Sequence, residues 1–277
     1  MSATAPITPD VRTAPRAPVI APQRDIVGLS RVQLRAALIE AGTPEAQAKM
    51  RVGQIWHWIY HKGARDFASM TKLAKSYRAQ LSEHFDIGRP EVVARQVSAD
   101  GTRKYLLRIA DGHEVETVYI PETDRGTLCV SSQVGCALDC DFCLTGKMGF
   151  RRHLATGEIV GQVDGIRRDR ELGDRPFNIV IRGMGEPHHN DDAGTAAIRI
   201  LTDPEGFGLS RRLITVSTVG VGPAIEGLAA EPVRPRLAVS LNATTDVVRD
   251  RLMTVNRMWN LARLLAACES WLATTRD

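Results

Sequence analysis

Val134-Gly-Cys-Ala-Leu-Asp-Cys-Asp-Phe-Cys-Leu-Thr-Gly146 carries Cys136, Cys140 and Cys143 in the spacing C-x3-C-x2-C. Three thiolates on one short loop can hold three corners of a cubane iron–sulfur cluster and leave the fourth iron open to a small molecule. Thiolates are the soft donors that such clusters require. A structural zinc site wants a fourth ligand and usually two separated C-x-x-C hooks. The one cysteine downstream, Cys268, falls in a helical pattern. Three of five cysteines gathered within eight residues fit neither incidental buried thiols nor a disulfide framework, and a reducing cytoplasm suits them.

Outward from this loop, strands alternate with helices. Apolar runs predict strands at Leu128–Ser132, Asn178–Arg182, Leu213–Thr218 and Arg236–Leu241. Helical periodicity fits Gly157–Leu172, Asp192–Leu201, Gly222–Ala230, Asp246–Leu252 and Leu261–Ala273. Alternation of this kind implies a parallel sheet. Active residues of such sheets lie at the C-terminal ends of the strands. The cysteine loop, Gly183-Met-Gly-Glu186, Ser217 and Ser240-Leu241-Asn242 all fall there, so four separate segments point to one site.

Upstream the period changes twice. Ser30 reads as the N-cap of a helix to about Ala41, and Thr43-Pro44 opens a second helix that stops at Gly63. A third helix covers roughly Thr71 to His84. Ile55, Trp58 and Ile59 form an apolar stripe that reads as core, with Trp56 and Tyr60 on a neighbouring face. After Pro90, three strands are expected at Val92–Val97, Lys104–Ile109 and Val115–Ile120, with a turn at Ala99-Asp-Gly101. The expected organisation is a disordered tail over 1–24, a small helical N-terminal domain over 25–89, a short β extension over 90–122 and an α/β core over 123–277.

With 43% hydrophobic and 25% charged residues, the chain has the balance of a globular protein, and it has no apolar run long enough to span a membrane. Its net charge of +4 does not by itself argue for nucleic acid. Basic residues gather locally at Lys72, Lys75 and Arg78; at Arg103, Lys104 and Arg108; at Lys147, Arg151 and Arg152; and at Arg167, Arg168 and Arg170. Such groups can contact RNA phosphates, although each cluster alone reads more simply as a solvated face.

The cysteine spacing is the signature of the radical S-adenosylmethionine (SAM) superfamily. The words around it are narrower. Val115-Glu-Thr-Val-Tyr-Ile-Pro through Gly135-Cys136 closely resembles the RlmN family, the adenine-C2 methyltransferases of ribosomal and transfer RNA. So do Met148-Gly-Phe150, Thr156-Gly-Glu-Ile-Val-Gly-Gln-Val163, Gly183-Met-Gly-Glu-Pro187, Thr215-Val-Ser-Thr-Val-Gly220 and Gln54-Ile-Trp-His-Trp-Ile-Tyr-His-Lys-Gly63. The resemblance runs from about residue 25 to the C-terminus. It implies a partial (β/α)6 radical SAM barrel, of which about four of six strands are present, with the core incomplete at its C-terminus.

The resemblance also implies site residues. Cys136, Cys140 and Cys143 would ligate a 4Fe-4S cluster. Gly185 and Glu186, Ser217, and Ser240, Leu241 and Asn242 match SAM contacts. Glu116 matches the general base, and Cys129 a non-cluster cysteine whose thiol helps resolve a covalent RNA adduct. The methyl group would travel on a second non-cluster cysteine in a C-terminal segment not found here, and Cys268 does not match it. Expected partners are 23S rRNA, tRNA and an electron donor such as flavodoxin, for a monomeric cytoplasmic enzyme. A disulfide bond is implied without a stated pair.

The chemistry is coherent. Carbon 2 of adenine lies between two ring nitrogens and is too electron-poor to attack the electrophilic methyl of SAM, so a radical route is required. The family pattern breaks at Arg182, where an apolar strand residue is usual, and at His188-His189, which reads as loop surface rather than metal ligand. Two other readings share these motifs: a cluster- and RNA-binding remnant without turnover, and methylation at carbon 8.

Overall fold

The computed structural model describes residues 24–274 apart from 124, 171 and 173–176. The tail expected over 1–24 therefore lies outside the described residues except for Arg24. That residue begins β1 (Arg24–Asp25), which pairs in parallel with β2 (Phe85–Asp86).

Helix α1 (Arg31–Glu40) starts with a reciprocal capping box. The Ser30 hydroxyl accepts the Gln33 N–H at 3.2 Å, and the Gln33 carboxamide accepts the Ser30 N–H at 2.8 Å. Helix α2 (Glu45–Trp56) departs from expectation. Thr43 does not cap it; its buried hydroxyl lies 2.9 Å from that of Tyr77, and Pro44 takes the cap position. Helix α3 (Lys75–His84) starts later than Thr71, because the buried side chains of Met70 and Leu73 are held in a turn by Leu73 N–H donating to the Met70 carbonyl. Between α2 and α3 the chain continues as a π-helical turn over His57–His61. Ile55 and Ile59 are buried as expected, but Trp56 and Tyr60 are buried too. The second aromatic face is therefore also core.

The strands that follow form one mixed sheet. β3 (Glu91–Val97), β4 (Arg103–Arg108) and β5 (Glu114–Ile120) are antiparallel, and β5 pairs antiparallel with β6 (Thr127–Val130). After β6 come the short β7 (Gln133–Val134), the cysteine loop, α4 (Leu144–Lys147) and β8 (Arg152–His153), which returns to pair with β7. Then α5 (Thr156–Asp169), β9 (Asn178–Ile181), α6 (Asp191–Thr202), β10 (Ile214–Thr218), α7 (Gly222–Ala229), β11 (Arg236–Val239), α8 (Asp246–Leu252) and α9 (Leu261–Thr274) alternate. The sheet order is β11-β10-β9-β6-β5-β4-β3, and β6, β9, β10 and β11 are mutually parallel. The three strands expected as an extension join this sheet directly at β5–β6.

Register assigns each side chain to a face, because strand residues alternate and paired residues point the same way. Leu128 and Val130 on β6 and Ile179 and Ile181 on β9 are buried in one core cluster with Ile159 and Val163 of α5. Each such side chain contributes roughly 1.5–3 kcal/mol by leaving water. The opposite face is only half-buried, and one row crosses the whole sheet: Gln96, Lys104, Val118, Cys129, Val180, Thr215 and Arg236. Glu116, two residues from Val118 on β5, shares this face, as does Ser217, two residues from Thr215 on β10.

The N-terminal helices share the same core cluster as the sheet. Arg31 grips Asp203 through two hydrogen bonds of 2.9 and 3.0 Å, and Arg89 meets Asp164 at 3.2 Å in a buried ion pair.

Candidate active site

A cavity of about 340 Å³ opens at the C-terminal ends of the parallel strands. Cys136, Cys140 and Cys143 line one side; Gly185, Glu186, Ser217, Ser240 and Asn242 line the other. Eight predicted site residues are thus brought together. Leu241 contributes differently: its side chain is exposed, and its carbonyl accepts a hydrogen bond from Arg249 Nε at 3.1 Å. Glu116 and Cys129 sit beside the cavity on the half-buried face, not in its wall.

The turn after β9 shows why two glycines are needed. Gly185 has φ +100°, and a Cβ on it would lie 2.6 Å from the Gln133 side chain. At Gly183 a Cβ would meet the Ser131 hydroxyl at 2.5 Å and the Ser131 nitrogen at 2.8 Å. This close approach lets Gln133 Oε1 accept the Glu186 N–H at 2.9 Å. Asn242, at φ 58°, is the one non-glycine residue with positive φ among the described residues, a conformation asparagine tolerates.

Glu186 is buried, and its carboxylate bridges two strand ends. One oxygen accepts the His188 N–H at 3.1 Å and the other the Val219 N–H at 3.0 Å. It has no ion-pair partner among the described residues, so it is a buried negative charge facing a cavity. An incoming ammonium group would compensate that charge.

The three thiols suit a cluster better than a single ion. Among the described residues, no three His, Cys, Asp or Glu side chains could hold one metal ion. A cubane instead places each thiolate on a different iron. Leu138 and Cys140 pack with Met253 and Val255 in a small apolar cluster of their own, against which Cys136 and Cys143 rest. Burial pushes the Cys140 thiol up to about 11, with the neighbouring sulfurs adding to the shift, and burial likewise raises Cys136. A cluster takes cysteine as the thiolate, so binding it would offset that rise. The Leu138 N–H already donates to Cys136 Sγ at 3.4 Å, the kind of contact that supports a cluster sulfur. The donor set fits a 4Fe-4S cluster with SAM beside it.

A buried polar network supports the loop from below. Gln162 Oε1 accepts from the Thr117 hydroxyl at 2.7 Å and the Ser131 N–H at 2.8 Å, and its Nε2 donates to the Ser131 carbonyl at 3.0 Å. The Ser131 hydroxyl donates to the Glu116 carbonyl at 2.6 Å and accepts the Met184 N–H at 2.8 Å. Sequence reading missed Ser131, Gln133 and Gln162. The available signals were the polar run Ser131-Ser132-Gln133 directly after an apolar strand and the family-like stretches that contain all three residues.

Several expectations need correction. His188 is not loop surface; it is buried, with Nδ1 2.8 Å from Asp191. Arg182 reaches solvent at the cavity rim, as a charge at that strand end must. Three of the four basic clusters are paired with carboxylates within the chain. Lys104 meets Glu116, Arg108 meets Glu114, Lys147 meets Asp139, Arg152 meets Glu158, and Arg168 meets Asp164. All five cysteines are free, so the implied disulfide is not present. Burial raises the Cys129 thiol, and the nearby Arg182 charge opposes that rise. Cys268 packs against the main core from α9 and does not line the cavity.

A family model described as the ribosomal RNA large subunit methyltransferase N-terminal domain matches residues 24–87. A protein of Jannaschia sp. is 58% identical over 282 residues, covering 98% of this chain and 71% of its own length. One from Cereibacter sphaeroides (strain ATCC 17025 / ATH 2.4.3) is 57% identical over 277 residues, covering 96% and 70%. One from Paracoccus denitrificans is 56% identical over 279 residues, covering 96% and 71%. All three are named dual-specificity RNA methyltransferase RlmN. The crystal structure of a radical SAM methyltransferase from Sphaerobacter thermophilus superposes with TM-score 0.85 at 41% identity, covering 92% of this chain and 74% of that one.

Proposed function

Because the chain belongs to the RlmN family of dual-specificity RNA methyltransferases, we propose that it methylates carbon 2 of adenine in 23S rRNA and in tRNA. The observation that carries this reading is the convergence of three thiols, a buried carboxylate and strand-end hydroxyls on one cavity. When bound there, a 4Fe-4S cluster with SAM on its open iron would supply the electron and the radical that polar methyl transfer to an electron-poor carbon lacks.

The chain's own residues bind, orient and move protons. Cys136, Cys140 and Cys143 hold the cluster. Glu186 accepts from the ammonium of SAM, Gly185 admits its backbone closely, and Ser217, Ser240 and Asn242 offer hydroxyl and amide partners to its ribose and carboxylate. Leu241 holds the rim through its backbone. Glu116 takes the proton from the methylated adenine onto a carboxylate oxygen, and Lys104, 2.8 Å away, holds that carboxylate in place. The Cys129 thiol, on the same sheet face as Glu116, releases the product from the cysteine that carries the methyl. None of the five cysteines here is assigned as that carrier: three hold the cluster, Cys129 resolves, and Cys268 packs half-buried against the core, away from the cavity. The target base must be unstacked to reach the site. A small electron-transfer protein such as flavodoxin would supply the electron, and the enzyme is read as monomeric and cytoplasmic. No helix among the described residues is long and apolar enough to cross a membrane.

The test is an anaerobic assay of the reconstituted chain with SAM, a reductant and unmodified rRNA or tRNA, read by mass spectrometry of the digested RNA. 2-Methyladenosine with 5′-deoxyadenosine alongside would bear out the reading and make Cys268, the one cysteine left without a site role, the methyl carrier to test. 8-Methyladenosine would replace the regiochemistry proposed here. 5′-Deoxyadenosine without methylated base would show a working cofactor site lacking its methyl carrier.

A further inference from the structure

Arg249, on α8, is the largest side chain buried with no exposure among the described residues. A buried guanidinium is expensive unless every donor is satisfied, and it normally meets a carboxylate. Here its hydrogen bonds go to neutral oxygens instead. Nε donates to the Leu241 carbonyl at 3.1 Å. One terminal nitrogen donates to Asn256 Oδ1 at 2.6 Å and to the Trp259 carbonyl at 3.4 Å, and the other donates to the Val219 carbonyl. Asn256 passes the polarity outward through Nδ2, which donates to Asp246 at 2.9 Å and Asp250 at 2.7 Å.

The acceptors are the rims of the cavity. Val219 follows β10, lines the cavity, and gives its own N–H to Glu186. One residue is thus held by the carboxylate at its nitrogen and by the arginine at its oxygen. Leu241 follows β11, between the cavity-lining Ser240 and Asn242. The segment carrying Arg249 also meets the cysteine loop: the Asp141 N–H donates to the Leu252 carbonyl at 2.9 Å, and Met253 and Val255 pack on Leu138 and Cys140. The guanidinium therefore lies where the ends of β10 and β11 and the cysteine loop come together.

We propose that Arg249 is a positioning residue of the cofactor site: it fixes both strand-end rims around SAM and keeps a buried positive charge behind the cysteine loop that raises the reduction potential of the bound cluster. The inference rests on the reading of the three thiols as cluster ligands. The physical reason is that a reduced cluster is more negative than an oxidised one, so a fixed cation in a low-dielectric wall favours reduction. Lysine cannot replace it fully, because an ammonium cannot reach several carbonyls with one planar fork.

The test compares native chain, Arg249→Lys and Arg249→Met after anaerobic reconstitution, with the exposed Arg251→Met on the same helix as control. Iron and sulfide content, EPR-monitored redox titration and equilibrium SAM binding are measured. Arg249→Met should shift the potential to more negative values and raise the SAM Kd by about tenfold, the cost of one lost charged hydrogen bond. Arg249→Lys should keep a near-native potential yet bind SAM more weakly, and Arg251→Met should match native in both. If Arg249→Met does not fold, Arg249→Lys decides through its SAM affinity. Loaded Arg249 variants with native potential and native SAM affinity overturn the inference alone. A native chain that takes up no cluster overturns the reading of the three thiols, and this inference with it.

Discussion

Lys104 Nζ lies 2.8 Å from Glu116 Oε1 on the half-buried face of the sheet, one strand away from Cys129. Both partners are 45% exposed, so as an ion pair they add little to stability. The value of the contact is in orientation: it fixes a carboxylate beside, but outside, the strand-end cavity. Glu116→Gln should therefore lower RNA methylation by about 100- to 10,000-fold while leaving 5′-deoxyadenosine formation near native. Both products can be counted in one assay. Equal loss of both would place Glu116 in the cofactor site instead.

Gly185→Ala should cost about 1–3 kcal/mol, because alanine is strained at positive φ and its methyl would collide with Gln133. The collision also pulls Gln133 away from the Glu186 N–H, so SAM affinity should fall together with the thermal midpoint. Calorimetry and SAM binding on one preparation check this. A variant with native values in both would contradict the close packing of these two loops.

Gln162→Leu should destabilise the cluster-free chain by at least about 2 kcal/mol, because it strands the Thr117 hydroxyl and both backbone groups of Ser131 in the interior. Urea unfolding gives the number. A loss under about 0.5 kcal/mol would mean that water enters and replaces the carboxamide.

Tyr60 provides a pH prediction. Burial pushes its hydroxyl up to about 12, while an unfolded tyrosine titrates near 10. The native state therefore keeps a proton that the unfolded chain releases. That contribution is complete below about pH 10 and is lost as pH rises toward about 12. Tyr60→Phe should flatten this part of the stability–pH curve and cost about 1 kcal/mol at neutral pH, since the Gly28 N–H loses its 2.8 Å acceptor. Urea midpoints across the alkaline range test both. An unchanged slope would refute the shift.

The alternation of strands and helices and the cysteine spacing were legible because they are local: side-chain period and ligand spacing are written residue by residue. Each of the four predicted parallel strands overlaps an observed one, and the cysteine loop, Gly185, Glu186, Ser217, Ser240 and Asn242 meet at one cavity as strand-end logic requires. What tertiary structure alone decided are pairings between distant segments. Thr43 looked like a cap but is claimed by Tyr77; His188 looked exposed but is buried against Asp191; most clustered cations are spent on carboxylates. The roles of Gln162 and Arg249 could not be read from the sequence, since a buried polar group is defined by the partners that satisfy it, and those lie 31 residues away at Ser131 and 30 at Val219. Sequence determined which chemistry the chain can hold. Packing decided which polar groups are left free to perform it.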